Sequence, residues 1–436
     1  MSAVSILSLG LCIILIGTSF LRRADVFAPY RLFGIIWSLA IGLADLKFSY
    51  YQHDWSAYSW IVLLTGVVSM MLGFMAVGVT YLNEPFLGLP EIRRKISQEQ
   101  VNERRLFAVI CTLSVLYAAG LYIESRAAGG LPAFSPRPDR ARVDFGLFGV
   151  HIFVTMMPAI LLLATQYLIL FRKNQSVLRI LTIVIASAFV FITFSLLLQR
   201  FSFVMWAFPT LVFIYYGTNK IKVKHILLLA ASFVLFLQIL ESVRITGYVE
   251  NYIYTFSRMK FPVKYAIFAE PYMYIVMNLE NFTRSVDMWT NFTYGYFTFD
   301  FVMALSGLKH PLAQTFGLVE RPFLISGYNT FSFFMPFFQD FGIIGVAGIP
   351  LCLGLGIGYL YNVIRRRPTL ANVSFYAIGA YILAISFFIH ALGMLTAVSN
   401  VVMLGFAYYY IRMPVGRPGA ATGENYRTDE GTPSSS

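Results

Sequence analysis

Three arginines, Arg137, Arg140 and Arg142, lie close together in the segment 129–146. Paired glycines and three prolines in this segment disfavour a regular helix and predict an ordered loop that carries the arginines. Guanidinium groups match phosphate oxygens with paired hydrogen bonds and keep their charge when partly desolvated. We therefore expect a binding site for a lipid-linked phosphate or diphosphate at headgroup depth. The alternative is a collar of cations against ordinary phospholipid headgroups.

The stretch 243–335 holds a second concentration of chemically capable residues. Its 93 residues include seven Lys or Arg, six Asp or Glu, one histidine and 23 aromatic residues. Most connections in compact domains have about 4 to 6 residues, and longer ones tend to be functional. His310 is a candidate general base for a hydroxyl group, because histidine exchanges protons near neutral pH. The candidate substrate-binding residues are Arg244, Arg284, Arg321 and Asn329.

Carboxylates compete with His310 for the role of base. Glu320 and Asp340 are the candidates we retain, although no spacing separates them from Glu241, Glu270, Glu280, Asp287 and Asp300. Asp340 lies where an apolar segment begins, and an ionisable side chain at such depth indicates function by default. Asp340 is equally suited to cap a helix N-terminus. Glu270-Pro271 and Asp300 interrupt two apolar runs, which predicts short helices at the membrane interface.

Composition defines the class of protein. Hydrophobic residues make up 58% of the 436 residues and charged residues 12%, whereas soluble globular proteins have about 25% charged residues. We therefore predict an all-α polytopic membrane protein. Eleven windows of about 20 apolar residues are long enough to cross a bilayer as helices: 3–21, 31–48, 58–82, 106–124, 148–171, 177–198, 201–217, 225–242, 336–361, 370–389 and 392–411.

The distribution of basic residues predicts an orientation, because Lys and Arg favour cytoplasmic loops. With the N-terminus outside, 20 of the 33 Lys and Arg fall in cytoplasmic segments, including the C-terminal one. Eleven of the other 13 lie in two external segments, 125–147 and 243–335. These two segments are therefore the expected functional ones. Cytoplasmic collars that face anionic lipid account for most of the net charge of +12, so the charge does not indicate a nucleic-acid partner.

The windows divide the chain into four parts. Residues 1–242 form spans 1 to 8 and include the Arg-rich external loop 125–147, and residues 243–335 form the large external loop between spans 8 and 9. Residues 336–413 form spans 9 to 11. The tail 414–436, rich in Gly, Ser, Thr and Pro, is predicted to be a disordered cytoplasmic segment.

Both external segments resemble those of the bacterial oligosaccharide repeat unit polymerases, the Wzy-type O-antigen and exopolysaccharide polymerases. The resemblance rests on Gly129-Gly-Leu-Pro-Ala-Phe-Ser and Arg142-Val-Asp-Phe-Gly146, then on Asn329-Thr330 and Asp340-Phe-Gly342. It implies a GT-C-like glycosyltransferase that needs neither metal nor nucleotide. Such an enzyme joins undecaprenyl-pyrophosphate-linked oligosaccharides outside the cytoplasmic membrane of a bacterium. By resemblance, Arg142, Asn329 and Asp340 match residues of the family's motifs.

Alternatives from other classes remain open on the sequence. An O-antigen ligase would use the same lipid-linked donor with a different acceptor. A lipid-linked oligosaccharide flippase would be a transporter, for which internal repeats and polar residues within the spans are expected. Membrane lipids are partners in every case. A chain-length regulator and a separate flippase are additional partners if the polymerase hypothesis is correct.

Overall fold

The computed structural model describes residues 2–20, 25–81, 83–171, 176–218, 228, 232, 252–317 and 324–412. Within these residues the protein is helical and contains no β-strand, only an isolated bridge between Ser49 and Met259. The α-helices are α1 (Ala3–Thr18), α2 (Pro29–Ala44), α3 (Ala57–Thr80), α4 (Leu89–Ser97), α5 (Glu103–Ala127), α6 (Pro138–Asp144), α7 (His151–Val154), α8 (Met157–Phe171), α9 (Val177–Ser195), α10 (Arg200–Gly217), α11 (Tyr252–Phe256), α12 (Ala269–Met288), α13 (Asp300–Leu305), α14 (Lys309–Thr315), α15 (Phe334–Arg366), α16 (Leu370–Ile385) and α17 (Leu395–Arg412).

The helices follow the apolar windows closely. Ten of the eleven windows contain a helix, and the window 225–242 lies outside the described residues except for residues 228 and 232. In the described part of the chain, five helical segments are long and apolar enough to cross a membrane: Ala57–Thr80, Glu103–Phe134, His151–Phe171, Val177–Ser195 and Phe334–Arg366. Helices α1, α2 and α16 are apolar but shorter. These observations support a helical membrane protein, whereas eleven spans and a GT-C-like architecture stay predictions.

Connections between the helices meet at two ends of the bundle. At the end that we call the loop end, Lys260 N–H donates to Phe48 O at 2.7 Å, which joins the long segment to the α2–α3 connection. Ala133 N–H donates to Leu196 O at 3.0 Å, which joins the Arg-rich segment to the α9–α10 connection. At the opposite end, Arg93 donates to Tyr215 O. Arg200, at the start of α10, donates to the hydroxyl of Tyr274 on α12 at 2.7 Å, so both segments with an excess of positive charge lie at the same end.

Helices α3 and α15 cross at a contact between backbones. A Cβ atom added to Gly73 would lie 2.5 Å from Leu351 O, and one added to Gly354 would lie 2.5 Å from Met70 O. Any larger side chain would push the two helices apart. Small residues at such crossings let helices associate where lipid provides no hydrophobic driving force. This close contact fixes the position of α15, whose first turns carry Asp340.

Helix α12 is longer and more deeply packed than the short interfacial helices that the sequence predicts for its segment. It has 20 residues, of which 13 are buried, and it packs against α2, α3 and α15. Pro271 does not interrupt it because this proline lies in the first turn, where a helix tolerates a residue without an N–H. Helix α13, which begins at Asp300, is short as predicted, and α14 is a further short helix that the sequence did not predict. Helix α12 brings several polar residues of the long segment into the bundle.

Candidate functional site

The candidate site is built around Glu280, on the buried face of α12. Its side chain is 1% exposed, and a carboxylate removed from water must be paired or hydrogen-bonded. The backbone N–H of His53 donates to Oε1 at 3.1 Å, and the indole N–H of Trp55 donates to Oε2 at 2.9 Å. Both donors belong to the α2–α3 connection. Glu280 therefore holds this connection against α12.

The imidazole of His53 is a further partner of Glu280. Nδ1 of the ring pairs with Oε1 of the carboxylate. The His53 side chain is 40% exposed although Nδ1 itself is covered, so its exposed part is the rest of the ring. A carboxylate behind one ring nitrogen fixes the orientation of the imidazole. This is the arrangement that a general base requires.

Arg284 lies one helical turn after Glu280. Its Nε is 4.0 Å from Glu280 Oε1, and its Nη2 donates to the carbonyl of Tyr51 at 3.0 Å. The side chain is 33% exposed although Nε is covered, and a guanidinium is a suitable partner for an anionic ligand. An open pocket of about 240 Å³ is lined by His53, Arg284, Asp287 and Met288. The pocket thus combines a proton acceptor with a fixed positive charge.

Asp287 attaches this pocket to α3. Its Oδ1 accepts hydrogen bonds from the hydroxyl of Ser56 at 2.7 Å and from that of Ser59 at 2.9 Å. Ser56 is also the N-cap of α3, where its side chain accepts from Ser59 N–H. A capping serine and a carboxylate from another helix therefore share one network. The network fixes the end of α12 relative to the start of α3.

Asp340 is buried in the second turn of α15 and holds the strap, which we define as residues 289–299. Its carboxylate accepts from the backbone N–H of Thr298 at 2.6 Å, from that of Phe297 at 3.2 Å and from the hydroxyl of Thr293. A buried carboxylate with these donors suits the positioning of a backbone segment better than proton exchange with a ligand. The N-cap of α15 is Phe333, so Asp340 does not cap this helix.

The strap also binds the backbone of α15. Gly342 has φ 62° and ψ −150°, a left-handed conformation that interrupts the helix and that glycine adopts readily. The carbonyls of Gln339 and Asp340, just before this break, accept hydrogen bonds from Thr293 N–H and Tyr294 N–H, both at 3.2 Å. The indole of Trp289 also donates to Gln339 O, at 3.1 Å. The kink therefore supplies acceptors that a continuous helix would have used internally.

His390, in the connection between α16 and α17, closes the far side of the strap. Its ring packs edge-on against Phe337, with a distance of 4.9 Å between ring centroids, and its Nε2 lies 3.2 Å from Thr298 O. Burial lowers the pKa of His390 to about 4, and this effect outweighs the opposing influence of the Thr298 carbonyl and of Asp340. His390 is therefore a neutral packing residue at neutral pH.

The three arginines of the shorter segment lie partly on a helix, α6, and this corrects the prediction of a loop. Pro138 occupies the first helical turn, where proline is favoured because its missing N–H would have no helical partner. Arg137 is the N-cap residue of α6, whereas Arg140 and Arg142 lie within it. Residues two apart on a helix do not face each other, so these two side chains leave α6 in different directions. Arg142 is half-buried, and the other two are exposed.

A second histidine–glutamate pair follows this segment. Nδ1 of His151 lies 3.0 Å from Glu124 Oε2, and Leu147 N–H donates to Oε1 of the same buried carboxylate at 2.9 Å. This pair holds the connection between α6 and α7 against α5. The His53 pair differs from it by having a guanidinium, that of Arg284, beside the same carboxylate.

His310 and Asn329 are exposed and lie apart from the pocket residues in the chain. His310 is in the first turn of α14, and its side chain has no hydrogen bond within the described residues. Asn329 lies in a segment held by Asn281, a buried residue of α12. Asn281 Nδ2 donates to the carbonyls of Tyr328 and Thr330, both at 2.8 Å. Asn281 thus positions the segment that presents Asn329.

Three predicted site residues, Arg244, Glu320 and Arg321, lie outside the described residues. Of the predicted site residues that are described, Arg284 lines a pocket. Among the described side chains, Arg284 makes no contact with Arg140 or His310. Sequence reasoning missed His53 and left Glu280 as one of seven equivalent carboxylates. The one available signal was that Glu280 and Arg284 are four residues apart, a helical spacing that places them on one face.

No group of three or more His, Cys, Asp or Glu in the described part of the chain is arranged to hold a metal ion. No protein-family model, curated protein or solved structure matches this chain.

Proposed function

We propose that the protein is a membrane glycosyltransferase that polymerises undecaprenyl-pyrophosphate-linked oligosaccharide repeat units into O-antigen or exopolysaccharide. The observation that carries the proposal is the pocket in which the His53–Glu280 pair meets Arg284. Transfer of a glycan from a lipid diphosphate needs a group that accepts a hydroxyl proton. It also needs a positive charge beside the departing diphosphate. The pocket contains one group of each kind.

The proposed reaction assigns a step to each of the three residues. The acceptor hydroxyl oxygen attacks the anomeric carbon of the growing glycan as its bond to the diphosphate oxygen breaks. The hydroxyl proton passes to Nε2 of His53, and Glu280 stabilises the imidazolium that results. The electron pair of the broken bond remains on the diphosphate, where the guanidinium of Arg284 meets the added charge. The products are the lengthened glycan on the acceptor lipid, the free lipid diphosphate and one proton.

The sides of the membrane follow from the charge distribution. If Lys and Arg mark the cytoplasmic side, the loop end of the bundle is external, and His53, Glu280 and Arg284 face the outside of a bacterial cytoplasmic membrane. The Arg-rich segment 125–147 is at the same end, which supports a contribution of Arg137, Arg140 and Arg142 to binding a lipid diphosphate. Asn329 is then a candidate contact for sugar hydroxyl groups. Arg244, Glu320, Arg321 and His310 remain candidates from the sequence alone.

Two experiments test the proposal. In a bacterium that carries the gene, deletion followed by electrophoresis of surface glycan separates the alternatives: loss of a polymerase leaves single repeat units attached, whereas loss of a ligase leaves none. The purified protein in nanodiscs is then given a lipid-linked repeat unit alone. A ladder of products together with release of undecaprenyl pyrophosphate supports polymerisation. Transport of the intact lipid-linked unit without new glycosidic bonds would instead identify a flippase.

A further inference from the structure

An apolar groove lies at the loop end, between the C-terminal end of α2 and the start of α12. Its volume is about 430 Å³, it is open on one side, and its lining is almost wholly apolar. The lining residues are Leu43, Phe48, Phe261, Tyr265, Phe268, Pro271, Tyr272 and Ile275. Five of these eight are aromatic. The groove therefore offers ring faces to a long apolar ligand.

Hydrogen bonds preform one wall of the groove. The hydroxyl of Tyr272 donates to Gln52 Oε1 at 2.7 Å and lies 3.1 Å from Leu43 O, and it accepts from Phe48 N–H at 3.0 Å. Tyr272 thus joins α12 to the C-terminal end of α2 and to the α2–α3 connection, which form the opposite wall. A groove held in this way does not need to form when a ligand arrives. Its walls are part of the fold.

Positively charged residues lie on one side of the groove. Arg258, Lys260 and Lys264 are exposed on the segment that leads into it, and the ammonium groups of the two lysines lie over the rings of Tyr50 and Tyr265. Glu270, at the start of α12, is the carboxylate nearest to this segment in the chain. The α2–α3 connection on the other wall adds Lys47, which pairs with Asp54, and Asp45. Asp54 also lies close enough to Lys260 to interact with it electrostatically. Four cations against three carboxylates leave a positive excess, which favours an anionic headgroup beside an apolar chain.

The groove and the His53 pocket share the same two structural elements. Phe48 of the groove and His53 of the pocket lie five residues apart in the α2–α3 connection, and Ile275 and Arg284 lie nine residues apart on α12. Nine helical residues correspond to about 13 Å. A lipid that carries a reacting sugar must place its chain within such a distance of the chemical step. An ordinary phospholipid has no comparable reason to bind there.

We infer that this groove binds the isoprenoid chain of the acceptor, the lipid-linked repeat unit whose diphosphate is retained, with its phosphate groups beside Lys260 and Lys264. The inference rests on the proposed function for the identity of the lipid. The groove itself is defined by its lining and its charge. Aromatic walls pack against the double bonds and methyl branches of the chain, and the removal of its carbons from water provides the affinity.

Photo-crosslinking of the full-length protein tests the inference without requiring activity. The probe is geranylgeranyl diphosphate with a diazirine near the end of its chain, added to protein in phosphatidylethanolamine–phosphatidylglycerol nanodiscs. We expect crosslinks in peptides that contain Phe48 and residues 261–275. Ile275→Trp fills the groove and should reduce labelling by about tenfold or more, as loss of contact with two or more CH₂ groups predicts. Ile267→Trp is the control, because Ile267 is exposed on the 3-10 helix Val263–Phe268 just before α12 and does not line the groove.

Competition identifies the lipid. Unlabelled undecaprenyl phosphate should displace the probe, and extra phosphatidylglycerol should not. Equal displacement by phosphatidylglycerol, or labelling that Ile275→Trp leaves unchanged, would overturn the inference. Crosslinks in the groove of a protein that makes no glycan from lipid-linked repeat units would leave the groove in place and refute the proposed function. Polymerisation by a protein whose groove is not labelled would support the proposed function and refute the inference about the groove.

Discussion

Nδ1 of the His53 imidazole contacts the carboxylate of Glu280, 227 residues away in the chain, beside a pocket that Arg284 also lines. The buried carboxylate orients the ring, and the exposed part of the ring faces the pocket. A guanidinium in the same pocket separates this pair from that of His151 and Glu124. The relationship leads to predictions about the reaction and about the scaffold that supports it.

Replacement of His53 should abolish most of the activity. In His53→Gln the amide retains a donor for Glu280 but does not accept the proton of a hydroxyl group, so we expect turnover to fall by about 10² to 10⁴-fold. The measurement is glycan formation by purified protein at equal expression. His310→Gln is the matched control, because His310 is exposed on α14, and it should retain near-normal turnover. A loss confined to His310→Gln would assign the base to His310 instead.

Arg284 should contribute mainly to the transition state. Arg284→Ala removes a charge from the departing diphosphate and should lower kcat by about 10² to 10³-fold, as loss of one such donor does in other enzymes. Arg284→Lys should restore activity only in part, because a single ammonium group lacks the paired geometry of guanidinium. Arg126→Ala, an exposed cation in the last turn of α5 at the same end, serves as the control. Equal effects of Arg126→Ala and Arg284→Ala would show that activity depends on the total positive charge at this end and not on the position of Arg284.

Asp340 should contribute to stability by holding the strap in place. Asp340→Ala leaves the N–H groups of Phe297 and Thr298 without their acceptor, which should lower the free energy of unfolding by about 1 to 3 kcal/mol. Hydrogen exchange of residues 293–299 should accelerate, while residues 303–315 stay unchanged. Thr293→Val removes one donor and should have a smaller effect. Normal exchange in Asp340→Ala combined with lost turnover would favour a chemical role for this carboxylate.

His390 should make stability depend on pH. Its pKa is about 4 in the folded protein and 6.5 for an unperturbed histidine, so the unfolded chain binds a proton first as pH falls. Stability due to the neutral ring is therefore present above about pH 6.5 and is lost between about pH 6.5 and 4. Thermal unfolding in detergent at pH 7.5 and pH 5 measures this loss. His390→Gln should show a smaller difference between the two pH values, whereas His310→Gln should behave like the unsubstituted protein.

Asn281 should control the segment that carries Asn329. Its Oδ1 accepts from Ile325 N–H at 2.9 Å, in addition to the two carbonyl contacts of its Nδ2. Asn281→Ala should release this segment and raise hydrogen exchange at residues 325–331. Asn291→Ala, at an exposed position of the strap, provides the comparison. If exchange at residues 325–331 is the same in both variants, Asn281 does not hold the segment.

The sequence by itself determined the helical membrane scaffold. Long apolar windows predict helices wherever the bilayer requires backbone groups to be satisfied internally, and ten of the eleven windows contain a helix of the described chain. The excess of positive charge in 125–147 and 243–335 identified two segments, and both lie at one end of the bundle. The sequence also indicated that Glu280 and Arg284 lie on one face of a helix, because four residues make about one helical turn.

The tertiary structure alone decided which polar groups meet. His53 and Glu280 are brought together because α12 packs against α2 and α3, and no local pattern encodes a contact across 227 residues. Pro138 and Pro271 mislead a local interpretation, since a proline in a first turn starts a helix and the same residue in an interior would end it. Asp340 is buried by the strap, whose course depends on the kink at Gly342. Burial and partner choice are properties of the packed helices, so they become visible only when all the helices are in place.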